Sequence, residues 1–566
     1  MTALSDQSSR AETYLKAGLE EKKQRAYLAA HKAFTAGIEA LPDNSWATQY
    51  RLTLSLHEAT AEAAFRSDLF KEQEKHSGLV LQHATALLDT IKTHSTICEC
   101  YERRGRYLDA IKHALPLIQQ LGVDFPLDPE PEADFKQGLK ATNALLAGRT
   151  AASLAELPNM TDANTIAAMV LMAKIVSPVF MGLPGFAPLL TIKQVQTSLK
   201  YGNSPESILG YVNYGLILGN MSGDIEKGHA FGSLALSLVN KLQADHVKCY
   251  ATMGVYATIK PWNIHVAETL EPFIQGYYDG IEIGDHLNAS MCVLWYCSYA
   301  YFIGRELSDL ESMVEDYSYA ISGMNREAER DMNDVVRQAI LNLLGQSESN
   351  TRFDGTAYQE AELLPRHREM GDQLALCTLH LHKMMLCCLF GQHEQAIDCS
   401  KITERHLAGV VGLLHVSLFY FYDSLARLPL FSAKDATGDP FYSVALQRKT
   451  RKIVEFNQRK IKKWCRQAPM NFQHKWDLVA AEVDHHINDD KLAAIDHYDN
   501  AIAGAKAHGY IQEEAMANEL AALFYLHWGK TTIARAYMTQ AHAAYSRWGA
   551  KAKVKHLQDQ HPELLG

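Results

Sequence analysis

What this chain can fold into is constrained most by one stretch near its middle, Ser204 to Leu242, SPESILGYVNYGLILGNMSGDIEKGHAFGSLALSLVNKL. It reads as two amphipathic helices joined at Gly223-Asp224. Pro205 suits a first helical turn, Ser204 is placed to cap it, and Tyr211, Tyr214, Ile217 and Leu218 recur on one face. Gly223 can take the left-handed conformation that ends the first helix, and Asp224 can accept hydrogen bonds from the free amides of the second. Gly215, Gly219, Gly228 and Gly232 let two backbones approach closely wherever they face the partner helix. One such hairpin exposes too much apolar surface to stand alone and must be covered by others.

The pattern recurs along the chain. Repeats of the tetratricopeptide type run about 34 residues, with a bulky residue late in the first helix, a turn, and small residues in the second. Tyr525 precedes a turn at Gly529, with Ala534, Met538 and Ala541 following in register. Asp489-Asp490 is followed by Ala494, Tyr498 and Ala501. Tyr101 leads to Gly105, then to Tyr107, Ala110 and Ala114, and Gly391 leads to Ala396. Less regular pairs are expected at Ser45 to Ala84, Ala244 to Ile283 and Leu287 to Met324. Register fails at Val123 to Asp134, VDFPLDPEPEAD, whose prolines and acids predict a hinge, and at Phe431 to Tyr442, FSAKDATGDPFY. A polar segment, Ser347 to Tyr358, is also expected to be loose. The fold expected is all-α, a right-handed superhelix (α-solenoid) of tetratricopeptide-like hairpins. Its expected segments are residues 1–122, a hinge at 123–134, residues 135–430, a loop at 431–442, and residues 443–566.

Several stretches resemble the helical-repeat region between the nucleotide-binding and sensor parts of large multidomain signalling proteins, the predicted-ATPase and multi-sensor kinase family. They are SWATQYRLTLSLHEATAEAAF from Ser45, SLKYGNSPESILGYVNYGLILGNMSGDIEKGHAFGSLAL from Ser198, FYDSLARL from Phe421, NQRKIKKWCRQAPMNFQHKWDLVAAE from Asn457, YDNAIAGAKAHGYIQEEAMANELAALFYLHWG from Tyr498 and SRWGAKAKV from Ser546. The resemblance implies a relay between an ATPase switch and an output kinase. The kinase, ATPase and sensor parts of that family are not in this sequence, so neither activity is carried over.

At 566 residues the chain exceeds one ordinary core, and 47% hydrophobic with 21% charged residues describes a folded protein rather than a disordered one. A net charge of −10 gives no general attraction to nucleic acid or acidic membranes. The opening MTALSDQSSRAE lacks the basic-then-apolar order of a secretory signal. The apolar run from Thr165 to Ile192, broken by Lys174, Pro178, Pro184 and Pro188, reads as a buried helix followed by a tight connection rather than a bilayer span. The ten cysteines fall mostly inside apolar helical patterns, as Cys292, Cys297, Cys387 and Cys388 do, and read as reduced core thiols of a cytoplasmic protein.

Chemical motifs are sparse. Gly529-Lys530-Thr531-Thr532 imitates the end of a phosphate-binding loop, yet Phe524 stands where the first glycine is needed. The glycines of Met181 to Phe186 read as turn formers. Cys377, His380 and Cys388 share a helical face, but apolar neighbours on both sides read as core packing. Asp484, His485, His486, Asp489 and Asp490 read as solvated, with His485 at a packing position. There is no His-Glu-x-x-His pair, no Gly-x-Ser-x-Gly elbow and no kinase catalytic loop. No cofactor or metal is therefore expected, and no catalysis.

The charge pattern is more informative. Between Arg448 and Arg466 stand nine basic residues, Arg448, Lys449, Arg451, Lys452, Arg459, Lys460, Lys462, Lys463 and Arg466, against Glu455 alone. Ile453, Phe456, Ile461 and Trp464 recur near helical spacing, which predicts an amphipathic helix with a basic outer face. Candidate partner-binding surface residues are Tyr201, Asn203, Lys260, Trp262, Asn457, Trp464, Asn471, His474 and Lys475, although Asn471 also suits a cap and Trp262 a core. The function expected is a non-catalytic scaffold for protein–protein interaction and relay in signal transduction, with ATPase or kinase components as partners, no membrane, and nucleic acid disfavoured. The alternatives are a regulatory nucleic-acid- or phosphate-binding module using the helix 448–466, and an enzyme with an unrecognised metal or nucleotide site.

Overall fold

The central stretch folds as two helices, Ser207–Leu216 and Ile225–Lys241, and the turn between them follows from its residues. The first helix widens into a π turn over Ile217–Met221, and Gly223 then takes a φ of +73°, a conformation costly for any residue with a Cβ. The Asp224 side chain accepts from the Lys227 amide at 3.1 Å, a cap at the start of the second helix. A methyl group placed on Gly228 would lie 2.7 Å from the Gly215 carbonyl oxygen, and one on Gly215 2.8 Å from that of Gly228, so the two backbones touch. Ser204 departs from expectation. The helix begins at Ser207, whose hydroxyl accepts from the Ser204 amide at 2.9 Å, while the Ser204 hydroxyl is buried without a partner. Pro205 lies in the turn before the helix.

The structure, a computed structural model, describes residues 2–124, 131–434 and 438–565. Among these residues the chain is all-helical, with no strand beyond isolated bridges such as Asn159 with Asn203. It divides into two units, Met1–Tyr214 and Gly215–Gly566, a division inside the segment read from sequence as the central one. Half of the 123–134 hinge and the middle of the 431–442 loop lie outside the described residues.

In the first unit, Thr2–Lys23 pairs with Tyr27–Glu39, Tyr50–Arg66 with Phe70–His83, and Ile91–Arg103 with Tyr107–Gln120. The last two pairs repeat a detail. His57 meets His76 and His94 meets His113, each at 2.9 Å and each across 19 residues. Asp68 and Gly105, both left-handed, make the corresponding turns. Ala163–Gly182 has the length and composition of a membrane span, with a mean hydropathy of 1.8 over an 18-residue window, but 56% of that window is buried in the protein. It comprises two helices, Ala163–Lys174 and Val176–Gly182, and Lys174 pairs with Glu99. The expected tight connection follows at Pro184–Phe186.

In the second unit the expected pairs form as well. Gln373–Leu389 packs on His393–Arg405, Pro469–Val483 on Lys491–Ala507, and Ile511–His527 on Thr531–Trp548. The small residues do what their spacing demands, since Ala396, Ala494, Ala501, Ala534 and Ala541 are fully or almost fully buried. They belong to one apolar core that reaches from Ile225 to Leu564. The segment from Ser347 to Tyr358 is irregular but not loose. Phe353 and Tyr358 are buried, and Asn342 donates to the Arg352 carbonyl at 2.8 Å.

Candidate functional site

Five candidate residues of the second unit, Trp262, Trp464, Asn471, His474 and Lys475, converge around the start of the helix Pro469–Val483. Asn471, 1% exposed, donates to the carbonyls of Pro261 at 2.8 Å and Ile264 at 2.7 Å. Its side-chain oxygen accepts from the Val266 amide at 3.2 Å and the Tyr510 hydroxyl at 2.8 Å. One amide side chain therefore uses both ends to clamp the connection KPWNIHV onto two helices. Trp262 donates its indole N–H to the Gly412 carbonyl at 2.8 Å and stacks on Phe472, ring centres 5.4 Å apart, with Trp464 at 5.1 Å.

One turn further along, His474 and Lys475 both reach Glu513, and the Lys475 Nζ stands 2.8 Å from its Oε2. Lys475 also donates to the Asn471 carbonyl at 3.0 Å and lies over the Tyr510 ring. Burial pushes the Lys475 ammonium down, opposed by Glu513, and pushes His474 down to about 4, reinforced by Lys475. Burial works to raise the Glu513 carboxyl, but Lys475 and His474 outweigh it and hold it below its usual range. The adjoining cavity, lined by Val266, Phe302, Leu414 and Tyr510 among others, is about 10 Å³, barely a water's worth of space. Most polar atoms of this node are spent on one another, the buried His474 Nδ1 being left without a hydrogen-bond partner. It fixes the connection and three helices in one arrangement.

The expectation that these are surface residues is corrected for Asn203, Trp262, Asn457, Asn471, His474 and Lys475, all buried. The physical reason is common to them: each has hydrogen-bonding groups matched inside the protein, so polarity was no sign of exposure. In the first unit Asn203 donates to the Leu154 carbonyl at 2.8 Å and accepts from the Tyr211 hydroxyl at 2.9 Å. Asn457 donates to Asp423 at 2.8 Å and Ser424 at 3.1 Å. Lys260 and Trp464 are half-buried, and the Lys260 Nζ meets His229 at 2.8 Å and Ser233 at 3.2 Å. Only Tyr201 among the nine candidates is exposed, at 42%. Glu513, Tyr510 and Gly412 were missed because their partners are distant in sequence, 39 residues for His474 and Glu513.

The basic helix is as expected in outline, Val444–Cys465, capped by the Ser443 hydroxyl. Its buried face runs through Thr450, Val454, Asn457, Ile461 and Cys465, and Phe456, expected on that face, is exposed. Arg448, Lys449, Arg451, Lys452, Arg459, Lys460, Lys462, Lys463 and Arg466 are all exposed. Among the described residues none of these nine stands within 4.0 Å of a carboxylate, although Lys462 covers the Trp476 ring at 3.6 Å. A cationic strip is thus presented with its charge uncompensated at close range.

Among the described residues one group of side chains is placed to share an ion, Glu482, His485 and His486. Asp484, which the sequence set beside the histidines, instead faces His497 at 3.8 Å. Cys377, His380 and Cys388 are in the helix Gln373–Leu389 but do not form such a group.

No known protein-family model matches the chain. A stretch of 61 residues, 11% of the chain, is 39% identical to hybrid signal transduction histidine kinase G of Dictyostelium discoideum. The match spans 2% of that protein's length.

Proposed function

We propose that this chain is a non-catalytic module of signal transduction that couples other proteins, ATPase or kinase components, through acidic surfaces docking on its basic helix. The observation that carries this is the strip of nine exposed cations from Arg448 to Arg466, interrupted by Glu455 alone and with no carboxylate within 4.0 Å of any of them among the described residues. Surface ion pairs between neighbours normally consume such charge. A strip left unpaired on a protein of net charge −10 concentrates attraction in one place and repels acidic partners elsewhere, which favours orientation over indiscriminate binding.

The architecture belongs to the same proposal. Successive helical pairs with left-handed turn residues and small residues at matched positions, and His–His contacts repeated at one separation, support a tetratricopeptide-like array wound as a right-handed superhelix. The local likeness to a signal-transduction histidine kinase supports the setting. Cytoplasmic residence fits the reduced state of ten free cysteines.

The test is affinity capture with the tagged full chain and with a variant carrying Arg451→Gln, Lys452→Gln, Arg459→Gln and Lys460→Gln. The wild type should retain a signalling ATPase or kinase that the variant loses. Capture of no such component, or its equal retention by both chains, would overturn the proposal.

A further inference from the structure

Where the helix Pro469–Val483 runs out, the backbone widens into a π turn, Asp484–Asn488. Such a turn carries an extra residue and re-aims the side chains around it, which is why π turns collect at functional positions. Glu482, His485 and His486 stand at i, i+3 and i+4 across the start of this turn, neighbours on one helix face, and one ligand atom from each lies within 4.8 Å of the others. Glu482 is a buried carboxylate, its side chain 2% exposed. One of its oxygens accepts from the Tyr498 hydroxyl, and the other lies 3.2 Å from the His486 Nε2.

The outer partners are those a metal site requires. The second ring nitrogen of His486 is 2.6 Å from the Ser432 hydroxyl, a contact that can fix the tautomer and leave Nε2 as a lone-pair donor beside Glu482. Tyr498 orients the carboxylate in the same way. His485 stacks on His486 with ring centres 4.0 Å apart, and its Nδ1 is buried with no hydrogen-bond partner. Coordination through that nitrogen would give it the partner it lacks. The ring of His527 stands 5.6 Å from that of His485, near enough to compete with water for a fourth position after side-chain adjustment.

We infer that Glu482, His485 and His486 bind a divalent first-row transition-metal ion, zinc being the best match to two imidazoles and one carboxylate. Such a donor set is too nitrogen-rich for calcium or magnesium and lacks the thiolates that favour copper(I). The ion would brace the junction between Pro469–Val483 and Lys491–Ala507, and it requires no partner chain.

The experiment uses the full chain, freed of metal with a chelator, titrated with zinc chloride by calorimetry and with cobalt(II) by visible spectroscopy. One saturable equivalent and the intense visible bands of four-coordinate cobalt are expected. The chain has 25 histidines, so the variants decide whether the ion sits here. His485→Gln with His486→Gln should abolish both signals, and Tyr498→Phe, which removes no ligand, should weaken zinc about 10-fold or more. Circular dichroism in chelator checks that each variant is folded. If the double variant does not fold, Tyr498→Phe carries the decision. No saturable binding, or binding unchanged in the folded variants, overturns the inference.

Discussion

Glu513 holds the Lys475 ammonium beside the His474 ring inside the protein, and its removal is not symmetric with that of Lys475. In Glu513→Gln the Lys475 ammonium loses its 2.8 Å counter-charge while remaining buried, a situation that typically costs about 3–5 kcal/mol. Adding Lys475→Met removes the stranded charge and should recover most of the loss. Urea denaturation of the single and double variants measures this, and equal losses in both would show that the pair is not coupled. Histidines buried as neutral rings make a related expectation for pH. Burial lowers His382 to about 4 and His415 to about 3, and His57 and His94 to about 4. Each folded value lies below the unfolded one, so unfolding takes up protons between those pH values. Their contribution is fully present above about pH 6.5 and falls away as pH drops towards 4. His382 alone contributes on the order of 3 kcal/mol to that slope. Denaturation midpoints should decline from about pH 6.5, before carboxylates with ordinary pKa values titrate. A profile flat down to about pH 5 would contradict the burial of these rings.

Between neighbouring helices the decisive contact is backbone on backbone. The Gly228→Ala methyl would meet the Gly215 carbonyl at 2.7 Å, and a carbonyl in a helix cannot swing aside as a side chain can. Alanine's better helix propensity, about 1 kcal/mol over glycine, is outweighed by separating the two helices, for a net loss of about 1–3 kcal/mol. Gly219→Ala meets nothing within 4 Å and should cost nothing comparable. Thermal melts of the two variants compare them directly, and equal midpoints would refute the close packing. This contact was legible in sequence because glycine spacing speaks about helix approach before any partner is known. Turn chemistry was legible for the same local reason at Gly223, Asp224, Gly105 and Gly529. The clamp by Asn471 was not, since nothing near Pro261 or Tyr510 in sequence marks them as its partners. Polar residues in family-like phrases were read as surface, and the helices had instead buried them in matched pairs. Glu482 stands three and four residues before the two histidines, ordinary spacing for one helix face, and escaped notice because Asp484 is the carboxylate adjacent to them in sequence.

Across the whole molecule, attraction at one strip competes with a net charge of −10, and ionic strength decides which a polyanion feels. At about 0.15 M salt the screening length is near 8 Å, so a ligand at the basic helix senses local cations and little of the distant acids. At about 0.01 M it lengthens to about 30 Å, and the acidic remainder repels the same ligand. A short DNA duplex serves as a polyanion probe that separates the readings of the strip. If the strip serves acidic protein surfaces, duplex binding at about 0.15 M salt should be no tighter than the non-specific range of about 10⁻⁴–10⁻⁶ M. If it is a nucleic-acid site, binding should persist there, and log affinity should fall with log salt by about 0.9 per phosphate engaged. Replacing Arg451, Lys452, Arg459 and Lys460 by glutamine would then lower that slope by up to about 4. The four side chains are exposed and lack carboxylate partners among the described residues, so the variant should unfold at nearly the wild-type midpoint. We expect weak duplex binding at about 0.15 M salt, measured by fluorescence anisotropy. Tight, steeply salt-dependent binding that the variant loses would move the function of this helix from protein partners to phosphate backbones.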